Sequence, residues 1–210
     1  MEKQFHQYAG YAKIILPAFI IILIFTGSSF SQSAVKPGGD GSTGTPYQIS
    51  SLENLYWLSL SDSVWDKHFV QTANIDASST ISWDDGDGGD AEGFSPIGND
   101  LIRFTGSYNG QNNSITGLYI NRNQEENVGL FGFAYAASIT NLDLIKSRIQ
   151  GKENVGALVG KANGSVLNNN HVQSRYIVSY TDNSGGLVGI TDSTIVSYSS
   201  AQTDTMAALG

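Results

Sequence analysis

Four stretches of the chain are copies of one another: Asn127-Val-Gly-Leu-Phe-Gly132, Asn154-Val-Gly-Ala-Leu-Val-Gly160, Asn183-Ser-Gly-Gly-Leu-Val-Gly189 and Met206-Ala-Ala-Leu-Gly210. Their closing glycines lie 28, 29 and then 21 residues apart. A second motif keeps step with them: Ser114-Ile-Thr-Gly117, Ser138-Ile-Thr-Asn141, Ser165-Val-Leu-Asn168 and Thr194-Ile-Val-Ser197. A period in the twenties, made of short β-branched runs between Gly and Asn, leaves too little chain for helical crossovers between parallel strands. The leucine-rich signature that shares this period is absent. The pattern therefore predicts a solenoid in which each strand pairs with its copy in the next coil, about 4.8 Å away.

Stacking like on like puts Leu130, Leu158, Leu187 and Leu209 in one apolar file and Ile115, Ile139, Val166 and Ile195 in another. Gly132, Gly160 and Gly189 are read as bends that need a left-handed backbone. The column Gly117, Asn141, Asn168, Ser197 is read as a corner, since Asn visits that region more readily than most residues. One coil departs from the pattern: Asn169 and His171 stand where its predecessor has Leu142 and Leu144, as a one-residue register slip would produce.

The repeats resemble the GLUG motif, found in bacterial surface proteins and in non-catalytic regions of immunoglobulin A1 metallopeptidases. The segments Asp40 to Ile49, Asn74 to Ala77, Phe94 to Gly98 and Phe104 to Gly110 resemble the block that precedes such repeats. The resemblance spans roughly residues 40 to 210. It implies an all-β, right-handed parallel β-helix on the cell surface or secreted, without a defined biochemical role.

The remaining organisation follows from local signals. Lys3 and Lys13 lead into an apolar run of 12 residues, Ile14 to Phe25, followed by small Ser29 and Ser31. That run is too short to span a bilayer and fits a secretory signal peptide over residues 1–31. Once it is removed, no transmembrane span is expected. Residues 32–45 read as a flexible linker and 46–210 as the β-helix domain, which ends inside a repeat without the polar capping coil that a solenoid needs. That end implies a longer protein or an open end that pairs with another chain. Ser50 and Glu53 suggest a capping box for a helix from Ser50 to Leu60, which would cover the N-terminal end of the β-helix. Trp57, Trp65 and Trp83 would join that cap.

Chemistry is sparse. With no Cys, thiol catalysis, disulfides and zinc–cysteine sites are excluded. A net charge of −8, which signal removal deepens, argues against a nucleic acid partner. His68 and His171 stand apart with no H-E-x-x-H, and no G-x-S-x-G occurs. The acidic loop Asp84 to Glu92 offers Asp85, Asp87 and Asp90 as hard oxygen ligands for calcium, but in a spacing unlike an EF-hand; a solvated acidic turn is the simpler reading. The outward candidates Tyr119, Asp143, Asn170 and Ser199 do not converge. The expectation is a non-enzymatic module with an adhesin-like or spacer role, whose partner is a host or environmental protein or glycan. The alternative is a fragment of a carbohydrate-active β-helical enzyme.

Overall fold

The computed structural model describes residues 32–83 and 89–209. The proposed signal peptide, Asp85 and Asp87 lie outside the described residues. β1 (Tyr47–Ile49) opens the first coil and α1 (Leu52–Leu60) follows it. β2 (His68–Gln71) and β3 (Ile75–Asp76) begin the next. A third carries β4 (Ser107–Thr116), β5 (Tyr119–Val128) and β6 (Phe131–Tyr135). Then come β7 (Ser138–Gly156) with β8 (Val159–Asn163), and β9 (Val166–Asn168) with β10 (His171–Ser179), β11 (Ser184–Gly185) and β12 (Val188–Asp192). β13 (Ile195–Ser197) and β14 (Ser200–Ala208) complete the order. All pairings between these strands are parallel, in the orders β1-β2-β4-β7-β10-β14 and β12-β8-β6. The protein is an all-β parallel β-helix.

Because side chains alternate about each strand, register turns repeats into files of stacked core residues. One file runs Tyr47, Phe69, Tyr108, Ile139, Leu167, Val196; a second runs Ile75, Ile115, Leu144, Val172, Ala201; a third runs Ile120, Ile149, Ile177, Met206. The aromatic end is knit by ring contacts: Tyr47 on Phe69 at 5.4 Å, Phe104 on Phe131 at 4.9 Å and Tyr108 on Phe131 at 5.6 Å. Tyr108 is wholly buried, and its hydroxyl donates to Gln71 Oε1 at 3.0 Å. At the other end the files emerge into solvent, with Val196 46% and Met206 52% exposed.

These registers correct several expected alignments. Ile115 stacks on Ile75 and Leu144, whereas Ile139 sits between Tyr108 and Leu167, and Val166 pairs Ser138 with Ile195. The true copy of Ser138-Ile-Thr is Ser107-Tyr-Asn, whose large Tyr hides the likeness. Met206 pairs with Ile177 and Leu209 bonds to the Ser179 carbonyl, so the last stretch is not a fourth copy of the glycine motif. His171 pairs with Asp143 and Val172 with Leu144, which realises the one-residue slip and keeps an apolar residue in the file. Asn170, expected outside, is fully buried; its amide donates to the Ile139 carbonyl and accepts from the Leu142 N–H.

The corner moves by one position. Asn141 is left-handed (φ 55), but its counterpart is Asn169 (φ 54), with Tyr198 (φ 49) after it. Asn168 pairs with Thr140 in extended strand, and Gly117 (φ 78) belongs with Lys146 (φ 56) at the next bend.

The glycine motif has a different logic from the expected one. Gly132, Gly160 and Gly189 are not left-handed; the left-handed residues are the asparagines that open each copy, Asn127 (φ 58), Asn154 (φ 53) and Asn183 (φ 56). An asparagine amide both donates and accepts, so copies stacked at one corner can bond in series. Asn183 Nδ2 donates to Asn154 Oδ1 (2.9 Å), Asn154 Nδ2 to Asn127 Oδ1 (3.0 Å) and Asn127 Nδ2 to Asp100 Oδ2 (2.8 Å). The glycines press against this ladder: a Cβ on Gly160 would lie 2.3 Å from the Asn127 carbonyl carbon, and one on Gly189 2.5 Å from that of Asn154. Leu130, Leu158 and Leu187 occupy the bend between, the first two fully buried and Leu187 packed against the core.

At the N-terminal end the helix begins at Leu52, one residue later than a Ser50 cap would require. Ser51 Oγ accepts from the Asn54 N–H at 3.4 Å, and Asn54 Oδ1 accepts in return from the Ser50 N–H at 3.1 Å. Asn54 thus fills the role assigned to Glu53. Leu55 and Leu58 are fully buried, and the Trp65 indole donates to the Leu58 carbonyl at 2.8 Å, closing the apolar core beside β1. The segment expected as a linker is tied to this end: the Val35 N–H donates to Glu53 O, and Gly38 bridges Gln48.

Two stability outcomes follow. Gly160→Ala should cost about 2–3 kcal/mol, because rigid backbone rather than a flexible side chain blocks the methyl; Gly44→Ala, where nothing lies within 4 Å, should stay within about 0.5 kcal/mol. Asn154→Gly retains the backbone and loses the ladder, about 1 kcal/mol. Asn154→Ala adds the left-handed penalty and should lose roughly 2–3 kcal/mol. Thermal melts of the four variants check both.

Candidate functional site

The strand rows that carry Ile120, Ile149 and Ile177 inward turn their neighbours outward, and register stacks Tyr119 on Arg148 and Arg148 on Tyr176. Burial pushes both phenols above the ordinary tyrosine value; Tyr176 raises Tyr119 further, while the Arg148 cation pulls both down. Gln150, next along the row, donates to Tyr176 Oη at 3.5 Å and accepts from Tyr180 Oη at 3.2 Å.

Beside this row the chain bends, and two residues drop out of register. Ile145 pairs with Gln173, Ser147 with Ser174 and Arg148 with Tyr176, which leaves Lys146 and Arg175 unpaired. Unpaired residues of this kind swing a side chain away from the ladder; both cations are exposed. The coil preceding Lys146 has Gly117 at the same bend. The result is an open groove of about 620 Å³ lined by Lys146, Arg148, Arg175, Asn74, Ser114, Thr116 and Ser78, with Asp76 its one carboxylate. Asp76 Oδ1 accepts from the Ser78 N–H at 2.9 Å.

The other cations are engaged. Lys67 pairs with Asp66, Arg122 with Glu92 and Glu125, and Lys152 with Glu126. Lys36 lies over Tyr47, Arg103 over Phe133 and Tyr135, and Lys161 over Phe133. Among the described residues, Lys146, Arg148 and Arg175 make no ion pair with a carboxylate, and Arg148 lies in the row between Tyr119 and Tyr176.

Of the residues singled out in the sequence, Tyr119 lies in this row and Asp90 close enough to raise its phenol. Asp90 is exposed, and no three His, Asp or Glu side chains among the described residues are placed to hold a metal. Asp143 and His171 sit on another part of the outer face, while Ser199 accepts from the Asn170 N–H. His171 contacts Ser200 Oγ (2.9 Å) and Asn169 Oδ1 (3.3 Å), and His68 contacts Ser107 Oγ (2.7 Å) and Thr43 Oγ1 (3.4 Å). Neither forms a histidine–carboxylate pair. Lys146, Arg148, Arg175 and Tyr176 escaped the sequence reading because their convergence depends on the slipped register; the shared placement of Arg148 and Tyr176 before Ile149 and Ile177 was the available signal.

Fold and face define a parallel β-helical repeat protein with a polar, locally cationic outer surface. No family model matches the chain, and no solved structure matches it significantly. It is 36% identical over 174 residues to halomucin of Haloquadratum walsbyi, covering 80% of this chain and 2% of halomucin. It is 31% identical over 169 residues to a protein of Evansella cellulosilytica that carries the name of a Gly-rich membrane protein, covering 78% of this chain and 18% of that one. The chain thus spans a small part of either relative. No helix among the described residues is long and apolar enough to cross a membrane.

Both hydrogen bonds from Ser78 hold the Asp76 carboxyl below its ordinary value of 3.8, the side-chain bond contributing most. A depressed carboxyl stabilises the fold above its unfolded value and loses that contribution as pH falls through the lower folded one. NMR titration should therefore place the Asp76 midpoint below 3.8, and Ser78→Ala should move it upward.

Proposed function

We propose that the protein is a non-enzymatic, surface-displayed or secreted β-helical module with GLUG-type repeats, acting as a binding or spacer element. The observation that carries the reading is the stacked-coil architecture itself: the repeated motifs are spent on corners, files and ladders, and what remains for a partner is the outer face. Similarity to halomucin and to a protein named for a membrane supports an extracytoplasmic location. A polypeptide without cysteine needs no oxidative folding there, and the parallel backbone ladders, with every buried side-chain polar atom among the described residues bonded, supply the rigidity instead. The partner class under this reading is a protein or glycan of the host or the environment, with calcium as an optional ligand of Asp85, Asp87 and Asp90.

Two measurements test it. Protease treatment of intact cells should remove the protein from the surface, or the culture medium should contain it; recovery only from lysed cells would sink the location. The purified chain, incubated with polysaccharide and immunoglobulin panels with and without calcium, should release no new chain ends. Turnover that disappears in Asp85→Asn/Asp87→Asn would promote the alternative, a carbohydrate-active enzyme using the acidic loop.

A further inference from the structure

We infer that the groove at Lys146, Arg148 and Arg175, together with the Tyr119–Arg148–Tyr176 row, is a binding site for an acidic polysaccharide that presents carboxylate or sulfate groups. The inference rests on the reading of the protein as a binding module and names its ligand class.

Three cations without a carboxylate partner among the described residues stand together on a chain whose formal charge is −8. Elsewhere on the described surface each Lys or Arg is neutralised or laid over a ring, so this local excess is the exception. Two of the three are residues that the ladder skips, which frees their side chains to reach a ligand at no cost in strand hydrogen bonds. Guanidinium groups give bidentate contacts to carboxylate or sulfate oxygens.

The flanking chemistry favours sugar over nucleic acid. Tyr119 and Tyr176 offer half-buried aromatic rings beside Arg148, and rings of this kind combine an apolar face with a polar tip. Ser114, Thr116 and Asn74 line the groove with hydroxyl and amide groups suited to a hydroxyl-rich ligand. Coil spacing fixes the rows about 4.8 Å apart, so the polar groups form a strip along the solenoid axis rather than a closed pocket. A strip suits an extended polymer. Recognition of a nucleic acid would rest on a longer run of phosphate contacts than three cations supply.

The test is titration calorimetry of the purified full chain with polygalacturonate (carboxylate), dextran sulfate (sulfate), neutral dextran and a single-stranded oligonucleotide. The expected result is binding to one or both acidic glycans, weakening with salt, and none to dextran. Comparing the two acidic glycans tells carboxylate from sulfate. Arg148→Gln/Arg175→Gln/Lys146→Asn, which retains an Asn-compatible bend, should weaken binding at least tenfold, and Tyr176→Ala about threefold. Lys67→Gln/Lys152→Gln/Lys161→Gln removes the same charge elsewhere and should change affinity less than twofold, with circular dichroism melts confirming that both triple variants fold. Equal losses in the two triples would reduce the effect to net charge and overturn the site. Oligonucleotide binding as tight as that of the glycans would overturn the ligand class. Failure of both acidic glycans, while a neutral glycan or protein from the panel binds, would refute this inference and leave the binding-module reading standing; turnover of any glycan would instead strike the reading itself.

Discussion

Everything in this solenoid depends on one contact repeated coil after coil: a left-handed asparagine at a corner, with the glycine of the next coil pressed against its peptide. Asn127 and Gly160 make it once, Asn154 and Gly189 again. The coil that begins with β2 and β3 answers with a variant, in which Asp100 terminates the amide ladder and Gly98 faces Gly132. If the corner opened by the width of a methyl group, neighbouring strands would leave hydrogen-bonding distance and the apolar files would no longer stack. Corner geometry sets the coil spacing, and the spacing sets everything else.

Ladder and core divide the labour. The amide series fixes which coil sits on which, since a buried Asn displaced by one residue would lose its bonds and face apolar side chains. The core tolerates more: one file passes from Tyr47 and Phe69 through Tyr108 to Ile139 and Leu167, changing shape while remaining apolar. Phe104 and Phe131 pack on the large members of that file, Phe69 and Tyr108.

This division explains what could be read from the sequence. Polar corner residues cannot be exchanged freely, so the glycine motif was visible and its phase at 132, 160 and 189 correct. Core positions can be exchanged, so Ser107-Tyr-Asn did not look like Ser138-Ile-Thr, and Ile115 was aligned with the wrong neighbours. The corner falls at Asn169 rather than the expected Asn168, because adjacent asparagines look alike in sequence and only backbone pairing separates them. Close approach and left-handed backbone both select Gly in a sequence, and here it is close approach that holds Gly132, Gly160 and Gly189. The groove was the least legible part, because it is made by residues that the ladder omits, and omission leaves no period to detect. Asp85 and Asp87 are legible as a cluster in the sequence but lie outside the described residues; their neighbour Asp90 is exposed and close enough to Tyr119 to raise its phenol.

The bend that frees Lys146 and Arg175 also gathers positive charge on one side of a net acidic chain. An uneven charge distribution of this kind turns a diffusing particle before it touches anything. Near a negatively charged surface the strip would lead and the rest of the body would be held off. Because screening shortens that reach to roughly 10 Å at 0.1 M salt, the ionic strength of the surroundings would decide how far away the molecule begins to orient.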